Sequence, residues 1–245
     1  MIGALLAAAS AALVAGCGDS GSATRAATQP ATNHAAVVAP LFEHGEGRTI
    51  DLSAPLSEDE AFQIISEELR QHGVFLTARN IELPSILVER REYQEKYDWI
   101  SGLSSTGYVY FNTPLSADGM DPNRRVAVEF ASADDVYGLA GPWRQQMARS
   151  SVIRYELKPV ARYVADHARG RPAGVYFGVF YDPLEGHFDY DEFDRRCKAI
   201  GALPSSMQAM QIQMMLEREV KNRSVPFLRQ QVRDFVEWLK GQGVI

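Results

Sequence analysis

Once residue 16 is passed, this 245-residue chain has no apolar run near the ~20 residues that a membrane-crossing helix needs. It has only two cysteines, Cys17 and Cys197, and no CxxC pair, so no paired-thiol zinc or redox site is written into it. P-loop, HExxH and GxSxG patterns are absent as well, which removes the signatures of phosphate-cradling loops, zinc peptidases and the nucleophile elbow. The five histidines, His34, His44, His72, His167 and His187, are scattered, and each reads as structural. Positive charge is in deficit: the formal net charge is −6, a balance that disfavours non-specific binding to nucleic acid or anionic lipid. The pairs Arg90-Arg91, Arg124-Arg125 and Arg195-Arg196 are far apart in sequence, form no basic tract, and read as solvated faces.

The first residues carry the clearest pattern that is present. Residues 1 to 16 are an apolar stretch (Ile2, Leu5, Leu6, the alanines, Leu13, Val14) that closes on the small pair Ala15 and Gly16, as a secretory signal does before its cleavage point. No Lys or Arg falls in it, so the positive region is reduced to the amino terminus. Cys17 follows at once, and Val14-Ala15-Gly16-Cys17 resembles the lipobox of bacterial lipoproteins. That resemblance implies that the Cys17 sulfur is joined to diacylglycerol and that, after removal of residues 1 to 16, Cys17 becomes the acylated first residue, with palmitate an expected acyl group. It implies attachment to the cell membrane or outer membrane, facing the periplasm or the exterior. Each buried methylene contributes about 0.8 kcal/mol, so two or three chains hold a protein essentially permanently where one holds it marginally. A chain so processed keeps one thiol, Cys197, and its fold must stand without an internal disulfide. Cys197 lies four residues after Phe193, on one face of an expected helix, and reads as a buried core thiol.

Composition divides the rest. Residues 17 to 50 comprise Cys17 and a stretch rich in Gly, Ser, Ala, Thr and Asn, which cannot bury a core and reads as a flexible tether with a reach of roughly 30 Å. Residues 51 to 245 read as a single globular domain, with no second Pro/Gly/Ser-rich linker and no internal repeat.

Within that domain, Ser57-Glu58-Asp59-Glu60 is a capping box that predicts a helix in which Phe62, Ile65 and Leu69, with Ala61 and Ile64 beside them, repeat at helical spacing, and Gly73 is its stop. Strands are expected over 85–91, 108–112 and 125–130, the last two joined as a hairpin by the turn residues 118–123. Pro159 fits the first turn of a helix reaching about Ala168, and 175–181, apolar on both faces, reads as a central buried strand. Helices are expected over about 191–200, 206–221 and 226–240. Met207, Met210 and Met214 sit at the spacing of a buried stripe and read as core. The fold class is therefore α+β or α/β: a mixed central sheet flanked by helices, with a helix-strand-strand-strand-helix-strand core followed by C-terminal helices.

That element order resembles the core of PD-(D/E)XK nucleases. The resemblance implies a divalent metal held by an Asp at the end of the second strand and a Glu on the third, with a Lys two residues beyond. Asp118 and Glu129 fall at the carboxylate positions; the lysine position is Ala131, and Lys158 from the following helix is the substitute. The residues taken alone give a plainer reading, in which Glu129 is an ionised or hydrogen-bonded residue on an outer or edge face, paired with Arg125 or a helix arginine, and Asp118 and Asp121 serve the turn. A second acidic group, Asp182, Glu185, His187, Asp189, Asp191, Glu192 and Asp194, has hard donors suited to Ca²⁺ but lacks the calcium-loop glycine and its spaced final Glu. It reads as solvated surface and first-turn helix charge.

These observations support a lipid-anchored, exported, non-enzymatic binding or envelope-associated domain. Its partners are the membrane, through Cys17, and a protein of the envelope; neither a nucleic acid nor a cofactor is expected. The alternative is a divalent-metal-dependent nuclease-like hydrolase with Asp118, Glu129 and Lys158 as its working residues.

Overall fold

The Ser57 capping box forms as its sequence requires: the Ser57 hydroxyl accepts from the Glu60 amide and the Glu60 carboxylate accepts from the Ser57 amide. The computed structural model in which this is seen describes residues 34–45, 47–49, 55–98, 103–139, 155–184, 188–203 and 205–245. Val14 to Cys17, the first half of the expected tether, and Glu185 and His187 lie outside them. In chain order the elements are β1 (Val37–Val38), β2 (Arg48–Thr49), α1 (Glu58–Arg70), β3 (Ala78–Asp98), β4 (Leu103–Asp121), β5 (Val126–Ala131), α2 (Ala133–Gly138), β6 (Tyr155–Glu156), α3 (Leu157–Ala168), β7 (Tyr176–Tyr181), α4 (Tyr190–Ala199) and α5 (Met207–Gly241).

Five strands make one mixed sheet in the order β1-β7-β5-β4-β3, while β2 and β6 pair separately. β5 lies parallel to β7 and β7 to β1; β4 runs antiparallel to both β5 and β3. This is the α+β class, and the core order of helix, three strands, helix and strand is the expected one. β5 and β7 are buried on both faces because helices cover both. Val160, Ala161, Val164 and Ala165 of α3 pack with Ala127, Phe177 and Val179, and α1 and α5 pack with Val126, Val128, Phe130 and Phe180.

Several expectations need correction. First, Ala36 and Ala39 are buried and β1 pairs with β7, so the folded part begins inside the stretch expected to be tether. A short Val-Val edge strand suffices where a parallel neighbour supplies its hydrogen bonds. Second, the hairpin turn spans residues 122–125 and not 118–123: Asp118 stays on β4, while Asp121 makes the turn, its carboxylate accepting from the amides of Asn123 and Arg124. Third, β3 and β4 form one ribbon far longer than the two strands expected, paired out to Asp98 and Leu103. The intervening sequence has no apolar alternation to announce it. The ribbon's register breaks between Leu83, opposite Leu115, and Leu87, opposite Pro114; Pro84 falls in the break, and neither proline can donate to the ladder.

Fourth, the two expected C-terminal helices are one, with Pro226 inside it. Proline removes one intrahelical bond, yet burial of Leu216, Val220, Leu228 and Val232 on either side keeps the axis continuous. Fifth, Met207, Met210 and Met214 are exposed; α5 buries Ala209, Ile212 and Leu216 instead. Arg125 and Arg195 are exposed as expected, but Arg124 and Arg91 depart from solvated faces. Arg124 donates to the carbonyls of Gly73 and Val244, tying the hairpin turn to the end of α1 and to the C-terminus, and Arg91 is buried, donating to the Val136 carbonyl. Cys197 is buried as expected.

Packing against the sheet is close at Gly178, where a Cβ would meet the Phe235 ring at 2.9 Å. That ring cannot turn aside, being stacked on Trp238 and edge-on to Phe180. Gly178→Ala is therefore expected to cost about 1–3 kcal/mol, measured by urea unfolding. Gly107→Ala, whose Cβ meets nothing within 4 Å, is expected to leave the midpoint in place.

Candidate carboxylate site

The paired part of β4 and β5 covers Gly119 to Asp121 against Val126 to Val128. One residue further along, the two strands part, and carboxylates take over the amides that the ladder leaves. The Glu129 Oε2 accepts from the Asp118 amide at 3.2 Å, and the Asp118 Oδ2 accepts from the Phe130 amide at 2.6 Å. Each strand thus satisfies the other through a side chain, as buried backbone groups require. The parting makes room for α2. That helix starts at a second capping box, in which the Ser132 hydroxyl accepts from the Asp135 amide and the Asp135 carboxylate accepts from the Ser132 amide.

Ser132 links this pair to the start of α1. Its hydroxyl lies 3.0 Å from the Glu58 Oε1 and 3.1 Å from the Asp135 Oδ2, with one proton to offer both. Glu58, Asp118, Glu129 and Asp135 therefore act on one another. Burial raises the Asp118 pKa to about 7, with Glu58 and Asp135 adding like charge. Burial, then Asp118 and Asp135, push Glu129 well above the usual carboxylate range, and burial, opposed by the Ser132 amide and Arg90, raises Asp135. The nearby cations are Arg79 for Asp118 and Arg90 for the other two. Arg79 is itself committed to Asp59 at 2.9 Å and lies over the Phe62 ring.

An open cleft of about 540 Å³ adjoins the cluster, lined by residues that include Ser57, Glu58, Arg79, Asn80, Ser132 and Asp134. Buried acids whose protonated forms are favoured thus lie beside a polar cleft. Asp118 and Glu129 each spend one oxygen on a backbone amide. Among the described residues, moreover, no group of three or more His, Cys, Asp or Glu side chains is arranged to hold a metal.

The structure thus brings Asp118 and Glu129 together, and Glu129 sits buried at the centre of the sheet and not on an outer or edge face. Lys158 is engaged elsewhere, 2.7 Å from Glu43. The second acidic group is dispersed. Asp182 is buried and accepts from the amides of Leu56 and Leu184, Asp189 caps α4, and Glu192 pairs with Arg195 and Arg196. His44 meets Asp234 at 2.6 Å and His167 bonds the Tyr163 carbonyl. Reading the sequence missed Glu58, Ser132 and Asp135 as members of the cluster. The Ser132-Ala133-Asp134-Asp135 box was there to be found, but its closeness to Asp118 is a product of the fold. No protein-family model, curated protein or solved structure matches this chain, so its role must be argued from its own residues.

The raised acids set a pH dependence. An unfolded Asp releases its proton near pH 4, whereas folded Asp118 holds its proton up to about pH 7. Between these values the folded state binds more protons, so stability falls as pH rises, by roughly 1.4 kcal/mol per pH unit for one such group. Glu68 works the other way at lower pH. Burial opposes its ionisation, yet hydrogen bonds from Arg233 and Arg229 hold its pKa below the usual value, so its contribution is lost as pH falls below about 4. Chemical denaturation across pH should show a maximum near pH 5 and a decline toward pH 8. Asp118→Asn should make that decline shallower; an unchanged slope would show that Asp118 is ionised throughout.

Proposed function

We propose that this chain is an exported lipoprotein, moored through lipid on Cys17, whose folded domain binds a partner in the cell envelope without catalysing a reaction. The observation that carries the reading is the run Val14-Ala15-Gly16-Cys17 closing an apolar segment. Among the described residues no helix is long and apolar enough to cross a membrane. The engagement of the central carboxylates with the domain's own backbone supports a binding role over hydrolysis.

The competing reading, a divalent-metal hydrolase on a nuclease-like core, draws on the element order and on Asp118 and Glu129 lying side by side. It has no lysine at Ala131, and Lys158 is committed to Glu43.

Two measurements separate these. Cys17→Ala should move the protein from the membrane fraction to the soluble fraction; retention in the membrane fraction would point to another anchor. Millimolar Mn²⁺ should leave the melting temperature of the protein unchanged. A rise of several degrees that Asp118→Asn abolishes would favour the hydrolase, because a ligand that binds the folded state stabilises it by mass action.

A further inference from the structure

α4 and the first half of α5 form a two-helix arm. Cys197 packs against Ala209, Ile212 and Leu216, with Phe193 beside them. The outer side of this arm is apolar and uncovered: Leu203 is 71% exposed, Met207 76% and Met210 62%, with Ile200 and Met214 similarly open. From Ala199 to Leu216 no residue is charged, and the residue just before that stretch is Lys198. In a protein of net charge −6, this is a long segment without a carboxylate, bordered by Lys198 at one end and by Glu217 at the other.

We propose that this tip docks on the phospholipid bilayer to which the chain is moored, with Leu203, Met207 and Met210 entering the boundary between headgroups and acyl chains. The proposal rests on acylation of Cys17. Three features favour a bilayer as the occupant. Unbranched methionine side chains adapt to an irregular apolar surface. The missing carboxylates remove the repulsion that the rest of the domain has for anionic lipid, and Lys198 can extend toward phosphate while its stem lies on apolar groups. Residues 18 to 33 separate Cys17 from His34, a span of at most roughly 60 Å when extended. The tether therefore keeps the tip at high effective concentration at the membrane, where a contact too weak to hold a free protein is sufficient.

The test uses the full acylated chain carrying Cys197→Ala, with an environment-sensitive dye on Leu203→Cys or, as a control, on Lys240→Cys. Those positions lie at opposite ends of the arm and α5, which as a helix of this length spans roughly 50 Å. Each chain is reconstituted into phosphatidylethanolamine–phosphatidylglycerol vesicles with brominated acyl chains and recovered by flotation. Emission at position 203 should fall about twofold or more while that at 240 is unchanged, as expected for an apolar face lying a few ångströms into the boundary. Met207→Gln with Met210→Gln should restore the emission without affecting flotation. A floating chain whose dye at 203 is not quenched overturns the docking and leaves the anchor intact. Emission at 203 that instead changes with protein concentration, with no quenching by bromine, assigns the face to a second copy and also overturns it. A chain that fails to float overturns the anchor, and with it this proposal.

Discussion

Where β4 leaves β5, the protein exchanges backbone pairing for carboxylate pairing: Glu129 holds the Asp118 amide and Asp118 holds the Phe130 amide. Much of the molecule is arranged by that substitution. It lets the long β3–β4 ribbon swing away from the sheet while β5 continues alone beside β7 to Ala131. It also opens the space into which Ser132 turns the chain as the cap of α2. The cost is a set of acids in a poorly hydrated place, where burial and mutual repulsion favour the protonated forms. The acids are therefore best understood as part of the sheet, and the cleft beside them inherits its polarity from them.

The second constraint is the absence of a covalent staple. Cys197 is a free, buried thiol, so the domain depends on covering both faces of β5 and β7. α3 covers one face; α1 and α5 cover the other, joined by the buried Glu68 between Arg229 and Arg233. The second half of α5 is thereby fixed in the core. Its first half has no sheet to cover and shares a small cluster with α4, which is why methionines at the spacing of a core stripe end up facing outward.

What could be read from the sequence follows this division. The α1 capping box, the α3 stripe and the doubly apolar β7 were legible because local chemistry and burial point the same way there. Glu129 was misread because a carboxylate at a strand centre reads as a surface residue unless the partner amides are known, and those come from a strand that pairs eleven residues away. The β3–β4 ribbon was read too short because alternation marks a strand only where one face is buried. Pro226 reads as a helix start, the commonest role of proline in a helix, whereas burial on both sides of it keeps the helix continuous.

The functional account joins these elements to one chemical event at the N-terminus. On the reading proposed here, a domain with an apolar tip and a core-bound acid cluster would become an envelope component through lipid on Cys17. The intact mass of the protein extracted from membranes tests this most directly. The account predicts a chain that begins at Cys17 and is heavier than its residues by a diacylglyceryl group and a further acyl chain. A chain of unmodified mass that still carries residues 1 to 16 would contradict it.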